Sequence, residues 1–139
     1  MKLEICANSY QSAINAQKAG ADRIELCSEL SVGGITPSYG LLKKISENIT
    51  IPVHVLIRPR SGNFYYSTIE FEQIKKDIKI CKEFGFNGIV SGVLNEDNSI
   101  DILRTKELIT ISKPLSFTFH RAFDCAENQK KSLLELIDM

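Results

Sequence analysis

Short apolar segments alternate with longer amphipathic segments five times along the chain. The short segments have the length and two-residue alternation of β-strands, and the longer ones carry apolar side chains at helical spacing. Ser9, Pro37-Ser38 and Thr68 are typical of residues at the start of a helix, and we expect each to begin one. The pattern predicts strands over 3–6, 23–27, 53–58, 87–93 and 115–120, and helices over 9–19, 36–49, 68–84, 100–111 and 127–137.

Regular alternation of strand and helix is typical of an α/β protein with a parallel sheet and right-handed crossovers. The strand spacing matches the units of a TIM-type (β/α)8 barrel, which requires roughly 200–250 residues. With 139 residues the chain supplies about five such units in a single domain, residues 1–139, and therefore an incomplete barrel. The alternative is a five-stranded doubly wound sheet, although no glycine-rich nucleotide-binding motif follows the first strand.

The faces of the predicted strands favour the barrel. A central strand of a doubly wound sheet is covered by helices on both sides, so both of its faces should be apolar. Here four strands have one polar face, because side chains alternate along a strand. We expect this face to line the barrel interior, and its members are Glu4, Cys6, Arg23, Glu25, Cys27, His54, Arg58, Ser116, Thr118 and His120.

Composition and charge exclude several functional classes. The 17 basic and 17 acidic side chains balance, which gives no electrostatic case for binding nucleic acid or an anionic membrane. No apolar run approaches the roughly 20 residues of a membrane span, and the first residues lack the apolar core of a signal peptide. The four cysteines form no Cys-x-x-Cys pair. We therefore expect a cytoplasmic protein with free thiols.

Two carboxylates fall on the interior faces of neighbouring strands, Glu4 on the first and Glu25 on the second. A buried carboxylate is unfavourable by several kcal/mol unless it is paired or hydrogen-bonded. The two side chains either form a catalytic pair, with one held protonated as a general acid, or form ion pairs with Arg23, Arg58 or a histidine.

The only two histidines also fall on polar strand faces. His120 lies at the carboxyl end of the fifth strand, where barrel active sites are found, and this position favours a catalytic role. His54 lies deeper and equally suits a hydrogen-bonded core position. The predicted acid/base groups are therefore His120 and Glu25.

Arginines gather at the ends of the third and fifth strands. Arg58 and Arg60 can hold a phosphate or carboxylate through bidentate contacts, and we expect them at the rim of a site for a small anionic ligand. Their alternative role is pairing with Asp124 and the interior glutamates. Arg121 faces opposite to His120 in the strand pattern, and we expect it to pair with Asp124.

Cys6 and Cys27 share the polar face of neighbouring strands. Two thiolates at adjacent strand ends can hold a soft ion such as Cu(I). Small buried thiols with no ligand role are the alternative, and they are common in protein cores.

Six motifs resemble the CutC family, which is named for copper homeostasis, in both order and spacing. They are Glu4–Cys6, Gly20–Cys27, Gly33–Ser38, Ile57–Arg60, Gly92–Leu94 and Phe119–Asp124. The resemblance covers nearly the whole chain and implies a TIM-type barrel, a cytoplasmic location and a link to copper. Copper binding in the family is attributed to cysteines, and the resemblance implies Cys27 first as a copper ligand in this chain. It also implies a cluster at the barrel mouth that resembles an enzyme site, formed by Glu4, Glu25, Arg58, Arg60, His120 and Asp124.

The chain departs from the family pattern in two respects. Asn63 stands where the family usually has Asp, which removes one carboxylate from the rim. The family barrel continues for three more units, so we expect a truncated chain whose open edges require another copy or a missing segment. Three functions stay open: a copper-binding homeostasis protein with Cys6 and Cys27 at the ion, an enzyme acting on a small anionic substrate, and a fragment without function.

Overall fold

The computed structural model describes all residues, 1–139, and alternates strands with helices as the sequence predicts. Every strand is four residues long, which is as long as expected for the first strand and shorter than expected for the other four. The strands are β1 (Glu4–Ala7), β2 (Arg23–Leu26), β3 (Val53–Leu56), β4 (Gly88–Ser91) and β5 (Ser116–Phe119). The helices are α1 (Tyr10–Lys18), α2 (Tyr39–Asn48), α3 (Thr68–Glu83), α4 (Ile102–Ser112) and α5 (Gln129–Ile137).

The five strands form one parallel sheet in the order β1-β2-β3-β4-β5, so each strand pairs with its neighbour in sequence. This order confirms the predicted α/β fold with five units of the TIM-barrel type and differs from the strand order of a doubly wound sheet. β1 and β5 are the two edges of the sheet. That these edges need a covering partner stays a prediction.

One face of the sheet packs on the helices, as the alternating pattern predicts. Paired residues Leu26, Val55 and Ile89 are fully buried in the main hydrophobic cluster, and Phe117 packs against it. The opposite face holds only a small apolar cluster of Cys27, Leu56 and Val90 in addition to its polar residues. This division leaves the polar face free to form a site.

Serines cap the first three helices. Ser9 and Ser38 accept backbone N–H groups at the starts of α1 and α2, as expected. The predicted cap Thr68 is wrong by one position. Ser67 caps α3 because its hydroxyl accepts the N–H of Glu70, while the Glu70 carboxylate accepts the N–H of Ser67 in a capping box.

Two short 3-10 helices, Leu30–Val32 and Arg121–Cys125, follow β2 and β5 and were not predicted. Both lie where a strand ends, so they bring loop residues over the carboxyl-terminal edge of the sheet. None of the five helices combines the length and apolarity that a membrane span requires.

Candidate functional site

Strand register places one interior residue from each strand in a single row across the sheet. Direct pairing joins neighbouring members of the row, whose order is Cys6, Glu25, His54, Gly88 and Ser116. The polar faces predicted on four strands are therefore in register, and Gly88 of β4, which has no side chain, lies between His54 and Ser116.

The absence of a side chain at Gly88 leaves space for the His54 imidazole in this row. A Cβ atom at Gly88 would lie 2.6 Å from three atoms of the ring. Across the glycine, Nε2 of His54 lies 3.1 Å from the hydroxyl oxygen of Ser116. His54 is 6% exposed and its Nδ1 has no partner. It is thus a buried and half-satisfied histidine, whose pKa is lowered first by burial and then by Arg23.

A pocket of about 230 Å³ opens at the carboxyl ends of the strands. This is the edge at which parallel α/β sheets bind ligands. Four of the lining side chains are ionisable or charged, and the rest are small, apolar or hydroxylic. The lining residues are Glu25, Gly33, Leu56, Arg58, Phe64, Val90, Thr118, His120 and Arg121.

Arg58 is a buried cation without a carboxylate partner. Its side chain donates hydrogen bonds to the carbonyl oxygens of Val32, Gly34 and Gly62 at 2.8–3.0 Å. These contacts fix the guanidinium, yet no acidic side chain lies within ion-pair distance. Its one neutral neighbour of note is the buried Tyr66 hydroxyl, where Arg58 opposes the rise in the Tyr66 pKa that burial causes. Arg58 is 5% exposed. A buried charge is unfavourable unless it is neutralised, so the pocket is electrostatically suited to an anion.

His120 is held in one tautomer at the other side of the pocket. Its Nδ1 accepts the backbone N–H of Ala122 at 3.3 Å, so the proton of the neutral ring is assigned to Nε2. The Phe64 ring contacts the imidazole edge to face, with centroids 4.9 Å apart. Burial, and then the charge of Arg58, lowers the pKa of His120 to about 3. The group is therefore neutral at physiological pH, and its Nε2–H has no partner in the protein.

Glu25 is the single carboxyl group that lines the pocket. Burial and then the charge of Glu4 raise the pKa of Glu25, while Arg23 opposes this effect. The only side-chain hydrogen bond to Glu25 is a weak one from the Cys6 thiol at 4.0 Å. The predicted carboxylate pair is therefore asymmetric, because Glu25 faces the pocket whereas Glu4 does not.

Glu4 lies at the amino end of β1, opposite the pocket, and forms an ion pair with Arg23. The sequence left a catalytic and an ion-pair role open for Glu4, and the structure has the ion pair. Asp124 is also outside the pocket. It is exposed and lies 4.0 Å from the Nε of Arg121, which agrees with the expected pairing.

Arg60, which we expect at an anion-binding rim, does not line this pocket. Its Nε is bonded to Glu70 at 2.5 Å, and its other nitrogens donate to the carbonyl oxygens of Ser61, Asn63 and Tyr65. These contacts use the guanidinium to fix the loop between β3 and α3. The physical reason is the proximity of the Glu70 carboxylate at the start of α3, a tertiary contact that strand alternation does not reveal.

Arg121 takes the place that was expected for Arg60. The 3-10 helix after β5 turns its side chain over the pocket, so the prediction that it faces opposite to His120 is wrong. A Cβ atom at Gly33 would lie 3.4 Å from Nη1 of Arg58 and 3.7 Å from Nη1 of Arg121. Two guanidinium groups therefore approach the same glycine at the mouth of the pocket.

Sequence reasoning gave no role to Phe64, which lines the pocket, or to Gly92, which lies beside His120. The guanidinium carbon of Arg58 lies 4.7 Å from the centroid of Phe64, so the ring contacts both Arg58 and His120. A Cβ atom at Gly92 would approach His120 Nδ1 to 2.7 Å. Interior glycines in a strand are the available signal, because they mark the close approach of a neighbour.

The two candidate copper ligands lie on the interior face but differ in exposure. Cys6 is exposed and Cys27 is buried. Burial, and then the neighbouring Cys6, raises the pKa of Cys27 to about 11, and burial also raises that of Cys6. No group of three or more His, Cys, Asp or Glu side chains comes together to hold a metal ion. A metal at this position would therefore have two thiol ligands at most.

Comparison with known proteins identifies close relatives. The CutC family model matches residues 1–139. The family protein CutC of Salmonella paratyphi A is 49% identical over 136 residues, which are 98% of this chain and 55% of that protein. The Salmonella typhimurium protein of the same name is 48% identical over the same coverage. The chain thus spans about half the length of the curated relatives it matches.

Solved structures agree with this relationship. A Streptococcus agalactiae protein, named CutC for a proposed role in copper homeostasis, gives a TM-score of 0.90 at 37% identity and covers 99% of this chain and 69% of its own. A Burkholderia cenocepacia structure provisionally named a phosphonomutase gives 0.61 at 16% identity, covering 99% of this chain and 61% of its own, and shows the fold alone. By family model and sequence identity, the chain belongs to the CutC family.

Proposed function

We propose that the pocket at the carboxyl ends of the strands binds a small anionic ligand. The observation that carries this proposal is the buried guanidinium of Arg58, which no carboxylate in the protein neutralises. Its three carbonyl contacts orient the group but supply no full negative charge. An anion in the pocket would provide the missing charge and a charge-assisted hydrogen bond.

Arg121 supports the same function from the mouth of the pocket. Its side chain is 67% exposed and its contact with Asp124 at 4.0 Å is weak. A charge in this position raises the local concentration of anions and can close over a bound one. In an enzymatic form of this function, Glu25 is the group we propose for proton transfer, because it is the only carboxyl group that lines the pocket.

The role of His120 within this function is that of a donor. The sequence led us to expect a general acid or base, but a group with a pKa of about 3 carries no exchangeable charge near neutral pH. Its Nε2–H is instead available to an oxygen of the ligand, since it has no partner in the protein.

Calorimetric titration with inorganic phosphate, sulfate and pyruvate tests the proposal. At a phosphate concentration of about 100 times Kd, binding should stabilise the fold by about 2.7 kcal/mol. Arg121→Gln should weaken binding about twofold to fivefold, as expected for one exposed charge. Lys106→Gln removes the same charge from the exposed face of α4 and should have no effect. Absence of heat and of thermal stabilisation with all three anions would contradict the proposal.

Copper handling through Cys6 and Cys27 is the second candidate function. The Streptococcus agalactiae relative is named for copper homeostasis, and thiolates are the ligands that Cu(I) prefers. The two thiols lie on one face of neighbouring strands, close enough for Cys6 to raise the pKa of Cys27. Cu(I) would have to displace both protons on binding. All four cysteines are free, which suits a reducing compartment, and for either function we propose a cytoplasmic location.

Competition with a chromogenic Cu(I) chelator tests this second candidate. Uptake of Cu(I) should be lost in Cys27→Ala and retained in Cys125→Ala, which removes an exposed thiol outside the strand layer. Equal uptake by the two variants would exclude Cys27 as a ligand. Because the test uses no anion, its result is independent of the anion-binding proposal.

A further inference from the structure

The pocket offers a ligand two different kinds of hydrogen-bond donor, and this difference indicates which ligand it selects. The inference rests on the proposed anion binding and makes it more specific. One donor is the charged guanidinium of Arg58, and the other is the neutral Nε2–H of His120, a buried atom without a partner in the protein. Both residues line the same pocket.

The direction of the His120 donor is fixed by its surroundings. The Ala122 N–H occupies Nδ1 at 3.3 Å, Phe64 packs against the ring, and Gly92 leaves room for it. The imidazole therefore cannot offer a lone pair to a ligand without losing the Ala122 contact. What it can offer is one neutral N–H, for which an oxygen with a free lone pair is the matching acceptor.

The charged part of the site lies beside this donor. Phe64 contacts both groups, because its ring centroid lies 4.7 Å from the guanidinium carbon of Arg58 and 4.9 Å from the centroid of the His120 ring. Nη1 of Arg121 and Nη1 of Arg58 both lie within 4 Å of the Cβ position at Gly33, at the mouth of the pocket. A ligand that satisfies all of these groups needs an anionic group for the arginines and a second oxygen for His120.

The volume limits the size of this ligand. The pocket holds about 230 Å³, which is below the roughly 300–1,000 Å³ of pockets for drug-sized molecules. A compound of a few carbon atoms fits, whereas a nucleotide does not.

We infer that the pocket selects small carboxylates that carry a carbonyl oxygen beside the carboxylate, that is, short 2-oxo acids. The carboxylate lies against Arg58 and Arg121, and the carbonyl oxygen accepts the Nε2–H of His120. A simple carboxylate of the same size satisfies the arginines and leaves the His120 donor unpaired. A site built to hydrogen-bond an oxygen discriminates against an analogue that lacks it.

Binding of pyruvate and propionate to the 139-residue chain tests this inference, because the two acids differ in the keto oxygen. Pyruvate should bind at least about fivefold more tightly than propionate, the lower limit for leaving a buried donor unpaired. In protein labelled with 15N-histidine, pyruvate and not propionate should shift the Nε2 resonance of His120. His120→Leu should abolish the difference in affinity, and His120→Gln, which keeps an N–H donor, should restore part of it.

The outcomes separate this inference from the proposal on which it rests. Equal affinities for pyruvate and propionate, with an unmoved His120 resonance, would overturn the selection of 2-oxo acids and leave anion binding in place. No binding of pyruvate, propionate or inorganic phosphate would overturn both. The comparison of the two acids on the unmodified chain needs no variant, so a failure of His120→Leu to fold does not affect it.

Discussion

Gly92→Ala is the substitution whose consequence can be worked out most fully. The new Cβ would lie 2.7 Å from Nδ1 and 2.9 Å from Cε1 of His120, and 3.0 Å from Cζ of Phe119. The backbone of Gly92 lies outside the left-handed region, so alanine itself is tolerated there. The imidazole cannot swing aside freely, because Phe64 and the Ala122 N–H hold it.

The expected destabilisation has two sources. Overpacking of a tight site typically amounts to about 1–3 kcal/mol, and loss of the Ala122–His120 hydrogen bond adds about 1 kcal/mol. We therefore expect the free energy of unfolding to fall by about 2–4 kcal/mol. Pyruvate binding should weaken in the fraction that still folds, because the His120 donor is displaced.

Urea denaturation followed by circular dichroism measures this change. Gly40→Ala is the matched control, because a Cβ there meets nothing within 4 Å inside α2 and should stabilise the fold by about 0.4–1 kcal/mol. The double variant Gly92→Ala/His120→Ala should be less destabilised than the sum of its single substitutions, since the clash disappears with the ring. Additive effects, or a Gly92→Ala variant within 0.5 kcal/mol of the parent (about the error of such comparisons), would refute the reasoning.

Three further predictions follow from the same contacts. The pKa of His120 is about 3 in the folded chain and 6.5 in the unfolded chain. The contribution of His120 to stability is therefore complete above pH 6.5 and declines by about 1.4 kcal/mol per pH unit towards pH 3. In urea titrations, the free energy of unfolding should differ less between pH 7 and pH 5.5 in His120→Leu than in the parent chain. Arg60→Ala should leave phosphate affinity in calorimetry unchanged, because its guanidinium is bonded to Glu70 outside the pocket. A loss of phosphate affinity would show that Arg60 takes part in anion binding. Iodoacetamide at pH 8 should label Cys125 before Cys27, which is buried and has a pKa of about 11; mass spectrometry of the peptides reads the order, and early labelling of Cys27 would contradict its burial.

The order of the elements and the two faces of the sheet were predictable from the sequence. Alternation alone separated Ile24 and Leu26, which are fully buried on the helix side, from Glu25, which faces the pocket. The local signals for capping also sufficed at Ser9 and Ser38. These features depend on residues close together in sequence, where propensity and periodicity act directly.

The arrangement of the site was less predictable, because it depends on contacts between distant loops. Arg58 and His120 were expected at the strand ends and are there. The sequence did not reveal that Arg121, and not Arg60, lines the pocket with them. This arrangement results from the Arg60–Glu70 contact and from the 3-10 helix that carries Arg121. The role of Gly92 depends on which ring lies beside it, and strand register decides that.

A crystal structure of the chain grown with pyruvate would show directly whether the pocket binds a 2-oxo acid. We expect a carboxylate in contact with Arg58 at the carboxyl-terminal edge of the sheet and a carbonyl oxygen within about 3 Å of Nε2 of His120, the usual length of an N–H···O hydrogen bond. A pocket that contains only water at saturating pyruvate, or pyruvate bound away from Arg58, would contradict this expectation.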